Sequence, residues 1–159
     1  MAFLLFARLK QLGAIVEYVP EYAKKLVWAE KFSVLNEQYF VSRKQFESIH
    51  VLCGRVQFVI TDGSLLHGLH YNRTNPNNVS NVEATEKQIL AWYSKHDNVN
   101  VVLSRGEYKY EAAGREQNEE QARVIDVKLR ELLDAHHIEY YVFASHESSI
   151  DEIVKLVLV

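Results

Sequence analysis

Cysteine occurs once in these 159 residues, proline twice and glycine six times, and each scarcity removes a class of protein. The lone Cys53 excludes an internal disulfide framework and suits a reducing, cytoplasmic setting, where its expected role is that of a small buried residue. So few prolines and glycines argue against long disordered segments. No apolar run approaches the roughly 20 residues that span a bilayer. The apolar start, MAFLLFARLKQLG, is interrupted by Arg8 and Lys10 and followed by no small-residue cleavage site, so it reads as a core helix and not as a secretion signal. Charge of one sign is lacking as well: 18 basic against 21 acidic side chains give a net charge of −3, with no general attraction to nucleic acid or to an anionic membrane. No internal repeat of solenoid period is present.

What is there is a single domain's worth of alternating helix and strand signals over residues 1–159. Residues 2 to 12 predict a helix stopped by Gly13, AIVEYVP a short strand closed by Pro20, and EYAKKLVWAEK a second helix. Residues 36 to 53 place Tyr39, Phe46, Ile49 and Cys53 on one helical stripe with Gly54 as a stop. VQFVIT reads as a buried strand. The Asn-rich stretch at 72 to 81 predicts a surface loop, and its two glycosylation-like triplets, at Asn72 and Asn78, are expected to be ordinary loop residues.

A helix over 83 to 96, a strand at VNVVLS and a long helix with Ala122, Ile125, Leu129, Leu132 and Leu133 inward come next. YYVFAS predicts a last core strand, and the tail from Ser149 a helix opened by a capping box to Glu152, although VKLVLV is also compatible with a strand. Strands that are apolar on both faces and alternate with helices imply an α/β fold, a parallel sheet with helices on both faces.

In such a sheet ligands gather at the carboxyl ends of the strands. Glu21, Asp62, Arg105 and the pair Ser145–His146 follow the four strands, and Lys109 and Arg115 lie on a polar, lid-like segment at 105 to 120. A carboxylate after a buried strand can hold Mg²⁺ through water, and arginine forks fit phosphate oxygens. Other chemistry is weaker. His67 and His70 have a metal-like spacing without an evident third ligand, and His136–His137 complement the dipole at a helix end.

The stretches FLLFARLKQLGAIVEYVPEYAKKLVW, FVITDGSLLHGLHYN, VVLSRGEYKYEAAGREQNEEQA with VIDVKLRELL, and YYVFAS, taken in order, resemble a small P-loop kinase or ATPase of the nucleotide-kinase and nicotinamide-riboside-kinase type, especially the versions found in phages. The resemblance implies that Glu21 and Tyr22 lie at an acceptor site, with Lys109 and Gln117 also contacting substrate. It gives Asp62 a Walker-B-like role near Mg²⁺, and Arg105 and Arg115 the role of lid arginines beside Gln117 and Glu120. ATP and Mg²⁺ would be the cofactors of an active member.

This chain departs from the family at its front. The family's first strand and its glycine-rich loop ending in Gly-Lys-Ser/Thr are expected to be missing ahead of residue 2. No G-x-x-x-x-G-K-[ST] occurs, and Gly63 to Gly68 is followed by Leu69 and His70. The missing strand is the family's central one, so the strands ending at Asp62 and Arg105 are expected to close directly against each other or to pair with a partner, the tail VKLVLV being a further way to fill the place. Without the loop no cofactor is expected to be held. The function that follows is a non-catalytic binding protein acting on a protein partner or on itself, such as a phage-encoded inhibitor or regulator in the host cytoplasm. The alternative is a nucleoside or nucleotide kinase with catalytic Asp62, Arg105 and Arg115.

Overall fold

A computed structural model describes residues 1–105 and 118–158. The chain runs through α1 (Ala2–Gln11), β1 (Val16–Val19), α2 (Tyr22–Trp28), α3 (Phe32–Leu35), α4 (Gln38–His50), β2 (Phe58–Thr61), α5 (His67–Thr74) and α6 (Val82–Tyr93). It continues with β3 (Val101–Ser104), α7 (Glu119–Ala135), β4 (Tyr141–Ala144), a 3-10 turn at Glu147–Ser149 and α8 (Ile150–Val157). The fold is α/β. Gly13 stops α1 as predicted, with φ of +83°, a region that costs a side-chain-bearing residue energy, whereas α4 ends at His50, so Gly54, with φ of +72°, lies in the turn beyond the helix and does not stop it.

The expectation of one sheet is corrected. β1 pairs in parallel with β2, in the register Val16 to Phe58 through Val19 to Thr61, and β3 pairs in parallel with β4, from Val101–Tyr141 to Ser104–Ala144. Among the described residues β2 and β3 share no ladder, so direct closure does not occur. Nor does the tail fill the place. It is helix α8, whose Ile150 and Val154 join Leu9 and Val16 in a core cluster flanked by Phe58 and Ile60. The reason is its period: Ile150, Ile153, Val154 and Val157 make one helical face, and three of the four are buried.

A larger core unites Phe46 of α4, Leu65 and Leu66 of the turn before α5, Leu69 of α5, Ile89 and Trp92 of α6 and Leu133 of α7. Phe46 and Trp92 stack with ring centroids 5.2 Å apart. Each such buried side chain contributes about 1.5–3 kcal/mol relative to exposure. A third cluster, Leu26, Leu35 and Val41, seats α2 and α3 on α4. The predicted inner face of α7 is correct, with Ala122 and Leu133 buried and Ile125, Leu129 and Leu132 half-buried.

Other details differ. Residues 72 to 74 extend α5 instead of looping out, and Asn72 is only 1% exposed because it donates to the Val82 carbonyl and accepts from Asn78. YYVFAS is no core strand: Tyr141 and Val142 are exposed, and among the described residues β4 pairs with β3 alone. Cys53 is exposed, because α4 ends at His50 and the chain turns away before the stripe reaches it. The Ser149 side chain makes no capping bond; the working box is Asn118 with Gln121 at the start of α7.

Candidate functional site

Parallel pairing sends the carboxyl ends of β1 and β2 in one direction, and those of β3 and β4 likewise in one direction. Glu21 after β1, Asp62 after β2 and Arg105 after β3 all line one cavity of about 680 Å³, closed by α4, α5 and the first turns of α7. Three of the expected site residues therefore meet. Tyr22 does not join them. Its ring packs against the Leu26–Leu35–Val41 cluster, and its amide donates to Gln45 Oε1 at 2.8 Å. Lys109, Arg115 and Gln117 lie outside the described residues, and with them most of the lid-like segment.

The turn after β2 is held by a short chain of polar contacts. Thr61 Oγ1 accepts from the Gly63 amide at 3.0 Å and from Gln45 Nε2 at 3.3 Å, so one glutamine ties the start of α2 to the end of β2. A β-carbon on Gly63 would stand 2.8 Å from Glu21 Cα, which is why glycine follows Asp62 here. Gly68 has a different task. It lies inside α5, where a β-carbon would come within 2.4 Å of Ser42 Oγ, so it allows close approach of α5 to α4 and belongs to no phosphate-binding loop.

The electrostatics differ from the expectation for a phosphate grip. Arg105 is not a bare cation, because its guanidinium Nε donates to the carboxylate of Asp126 on α7. Among the described lining residues, three carboxylates (Glu21, Asp62, Asp126) face two cations (Lys24, Arg105). Burial, a hydrogen bond with Asp62 and the charges of Asp62 and Glu21 push the Tyr18 hydroxyl up to about 12. Burial lowers the pKa of His67, helped by His70 and opposed by Asp62 and Asp126. His70 is lowered by burial first and then by Lys128. Both imidazoles are thereby biased toward the neutral form at neutral pH.

Sequence reading missed the polar floor of this cavity. Gln38, Ser42 and Gln45 are buried on α4 at spacings of four and three, and Ser42 Oγ has no hydrogen-bond partner among the described residues. The signal was present as a polar helical stripe beside the apolar one, but a polar stripe on a surface helix ordinarily faces water. Asp126 was equally hidden, as one acidic residue among many on an amphipathic helix. Ser145 and His146 contribute locally: the Ser145 amide continues the β3–β4 ladder, and His146 Nδ1 caps the following 3-10 turn.

No described helix is long and apolar enough to cross a membrane. Compared with models of protein families, with curated proteins and with solved structures, the chain matches none.

Proposed function

We propose that this chain works by binding another protein and not by catalysis, on a scaffold that resembles a small P-loop kinase without its phosphate loop, in the manner of a phage-encoded inhibitor or regulator of a host protein. The observation that supports this most is the division of the strands into two pairs. β2 and β3 each have one hydrogen-bonding edge without a strand partner among the described residues. A parallel strand normally lies between two others, and an open edge is a template for pairing with a further chain. All four residues of β2 are only half-buried, and Leu103, Tyr141 and Val142 are exposed, although their apolar character suits covered strands.

The cavity supports the same reading from the chemical side. Asp62 is suited to Mg²⁺, but among the described residues triphosphate meets a net acidic lining and an arginine already paired to Asp126, and the sequence has no Gly-Lys-Ser/Thr loop. The test is capture of the protein with its partner from the cells that express it, followed by hydrogen exchange on the complex. A stoichiometric protein that slows exchange at residues 58–61 and 101–104 supports binding through the open edges. Absence of any stoichiometric partner, or a partner that leaves those amides unchanged, rejects it.

A kinase is the second reading, favoured by the convergence of Glu21, Asp62 and Arg105 on one cavity of ligand size. In it Asp62 holds Mg²⁺, Arg105 leaves Asp126 to meet phosphate, and Glu21 faces the acceptor. Calorimetry with ATP and Mg²⁺ decides: micromolar binding abolished by Asp62→Ala supports the kinase, and no heat of binding removes it.

A further inference from the structure

α4 runs from Gln38 in the cavity wall to His50, twelve residues on and about 18 Å along its axis. At that far end it meets the end of α6, and three metal-ligating side chains come together there. His50 is the last residue of α4, Cys53 lies in the turn that follows, and His96 lies just beyond α6. One ligand atom from each lies within 4.8 Å of the others. Cys53 Sγ and His96 Nδ1 are 3.1 Å apart. The His50 and His96 rings have centroids 5.4 Å apart.

We propose that His50, Cys53 and His96 form a binding site for a borderline-soft divalent cation, zinc above all, that clamps the end of α4 to the end of α6. The donor set carries the choice of metal. One thiolate and two imidazoles suit zinc and exclude Mg²⁺ or Ca²⁺, which take oxygen ligands. A tetrahedral zinc with bonds of about 2.0–2.3 Å places its ligand atoms roughly 3.3–3.7 Å apart. The three atoms here need only small side-chain rotations to reach that spacing. Three protein ligands leave a fourth position for water.

The ligands are also placed before any metal arrives. His50 stacks on Phe46 at 4.8 Å, His96 packs against the same ring at 5.8 Å, and Phe46 is itself stacked on buried Trp92. Both imidazoles therefore rest on one rigid aromatic platform that is part of the main core. His96 Nε2 is buried with no hydrogen-bond partner among the described residues, so the ring's polar contact is made by Nδ1, at the thiol. Cys53 and His50 are exposed, which gives the cation a path in. The site is independent of the cavity and of the function proposed for it.

The experiment uses the tag-free 159-residue protein, kept reduced, and titrates Co²⁺ followed by Zn²⁺. The expected result is one Co²⁺ per chain, with the thiolate-to-cobalt band in the near ultraviolet and intense visible bands of a four-coordinate ion, all lost when one equivalent of Zn²⁺ is added. Zinc also shields Cys53 from iodoacetamide. Cys53→Ser removes the near-ultraviolet band. Cys53→Ser and His96→Asn each weaken zinc binding by more than the roughly 10–100-fold that loss of an outer-shell partner costs. His137→Asn, away from the cluster, leaves it unchanged. Metal-free circular dichroism of Cys53→Ser matches the parent, because the side chain is exposed. Three results each overturn the site: a cobalt spectrum without the thiolate band, zinc binding that survives Cys53→Ser, or alkylation of Cys53 indifferent to zinc.

Discussion

The β1–β2 pair and the β3–β4 pair are made of strands with much the same composition, VEYV and FVIT against VVLS and YVFA, yet they stand in different surroundings. In the first pair Val16 and Val19 are 0% and 5% exposed, and Val16 shares a core cluster with Leu9 of α1 and with Ile150 and Val154 of α8. In the second, Val102 packs against the main core, while Tyr141 and Val142 remain 37% and 53% exposed. An apolar strand states a demand for cover. Whether the cover is supplied depends on which helices return to it, and here α1 and α8 serve only the first pair.

The contrast can be broken most severely at Leu9, which is fully buried beneath α8. Leu9→Ala is expected to lower the unfolding free energy by about 3 kcal/mol, by lost transfer energy and a residual cavity, measured by urea denaturation. Gly68→Ala comes next, at about 1–3 kcal/mol, because the new methyl would stand 2.4 Å from Ser42 Oγ and push α5 off α4. Asn118→Ala removes the box that starts α7 and is expected to lose about 1 kcal/mol, with reduced helicity at 222 nm marking the frayed first turn.

A pH series sharpens the account of the cavity. His67 and His70 have folded pKa values below the ordinary 6.5, chiefly through burial. The unfolded chain therefore takes up their protons first, so their contribution to stability is complete above about pH 6.5 and is lost progressively as the pH falls below it. The urea midpoint is expected to drop on acidification, with a shallower slope in His70→Gln. The smallest effect belongs to the second sheet: Val142→Ala is expected to change stability by less than about 0.5 kcal/mol. A loss as large as that of Leu9→Ala would mean that β4 is covered after all.

Much of this arrangement was legible in the chain itself. Most described helices and strands were signalled by periodicity, the short α3 and α5 being the exceptions, and Gly13 and the inner face of α7 were placed correctly, because local pattern and local conformation agree there. Glu21, Asp62 and Arg105 followed from a topological rule, since parallel strands bring their carboxyl ends together. Pairing between sheets was not legible, because apolar strands carry no record of which neighbour they lack. The same limit hid Asp126 and the Gln38–Ser42–Gln45 floor, and it hid Cys53 beside His96, residues 43 positions apart that meet only once α4 and α6 pack through Phe46 and Trp92.

The edges of β2 and β3 that lack a strand partner among the described residues are tested most directly by residue-resolved amide hydrogen exchange on the isolated chain. In a two-stranded parallel ladder only alternate amides point at the partner strand. Slow and fast exchange should therefore alternate along Phe58–Thr61 and along Val101–Ser104, the fast amides being those on the unpaired edge. Uniform protection of all eight amides in the free protein would mean that the two sheets are joined, and it would contradict the separation on which the binding function rests.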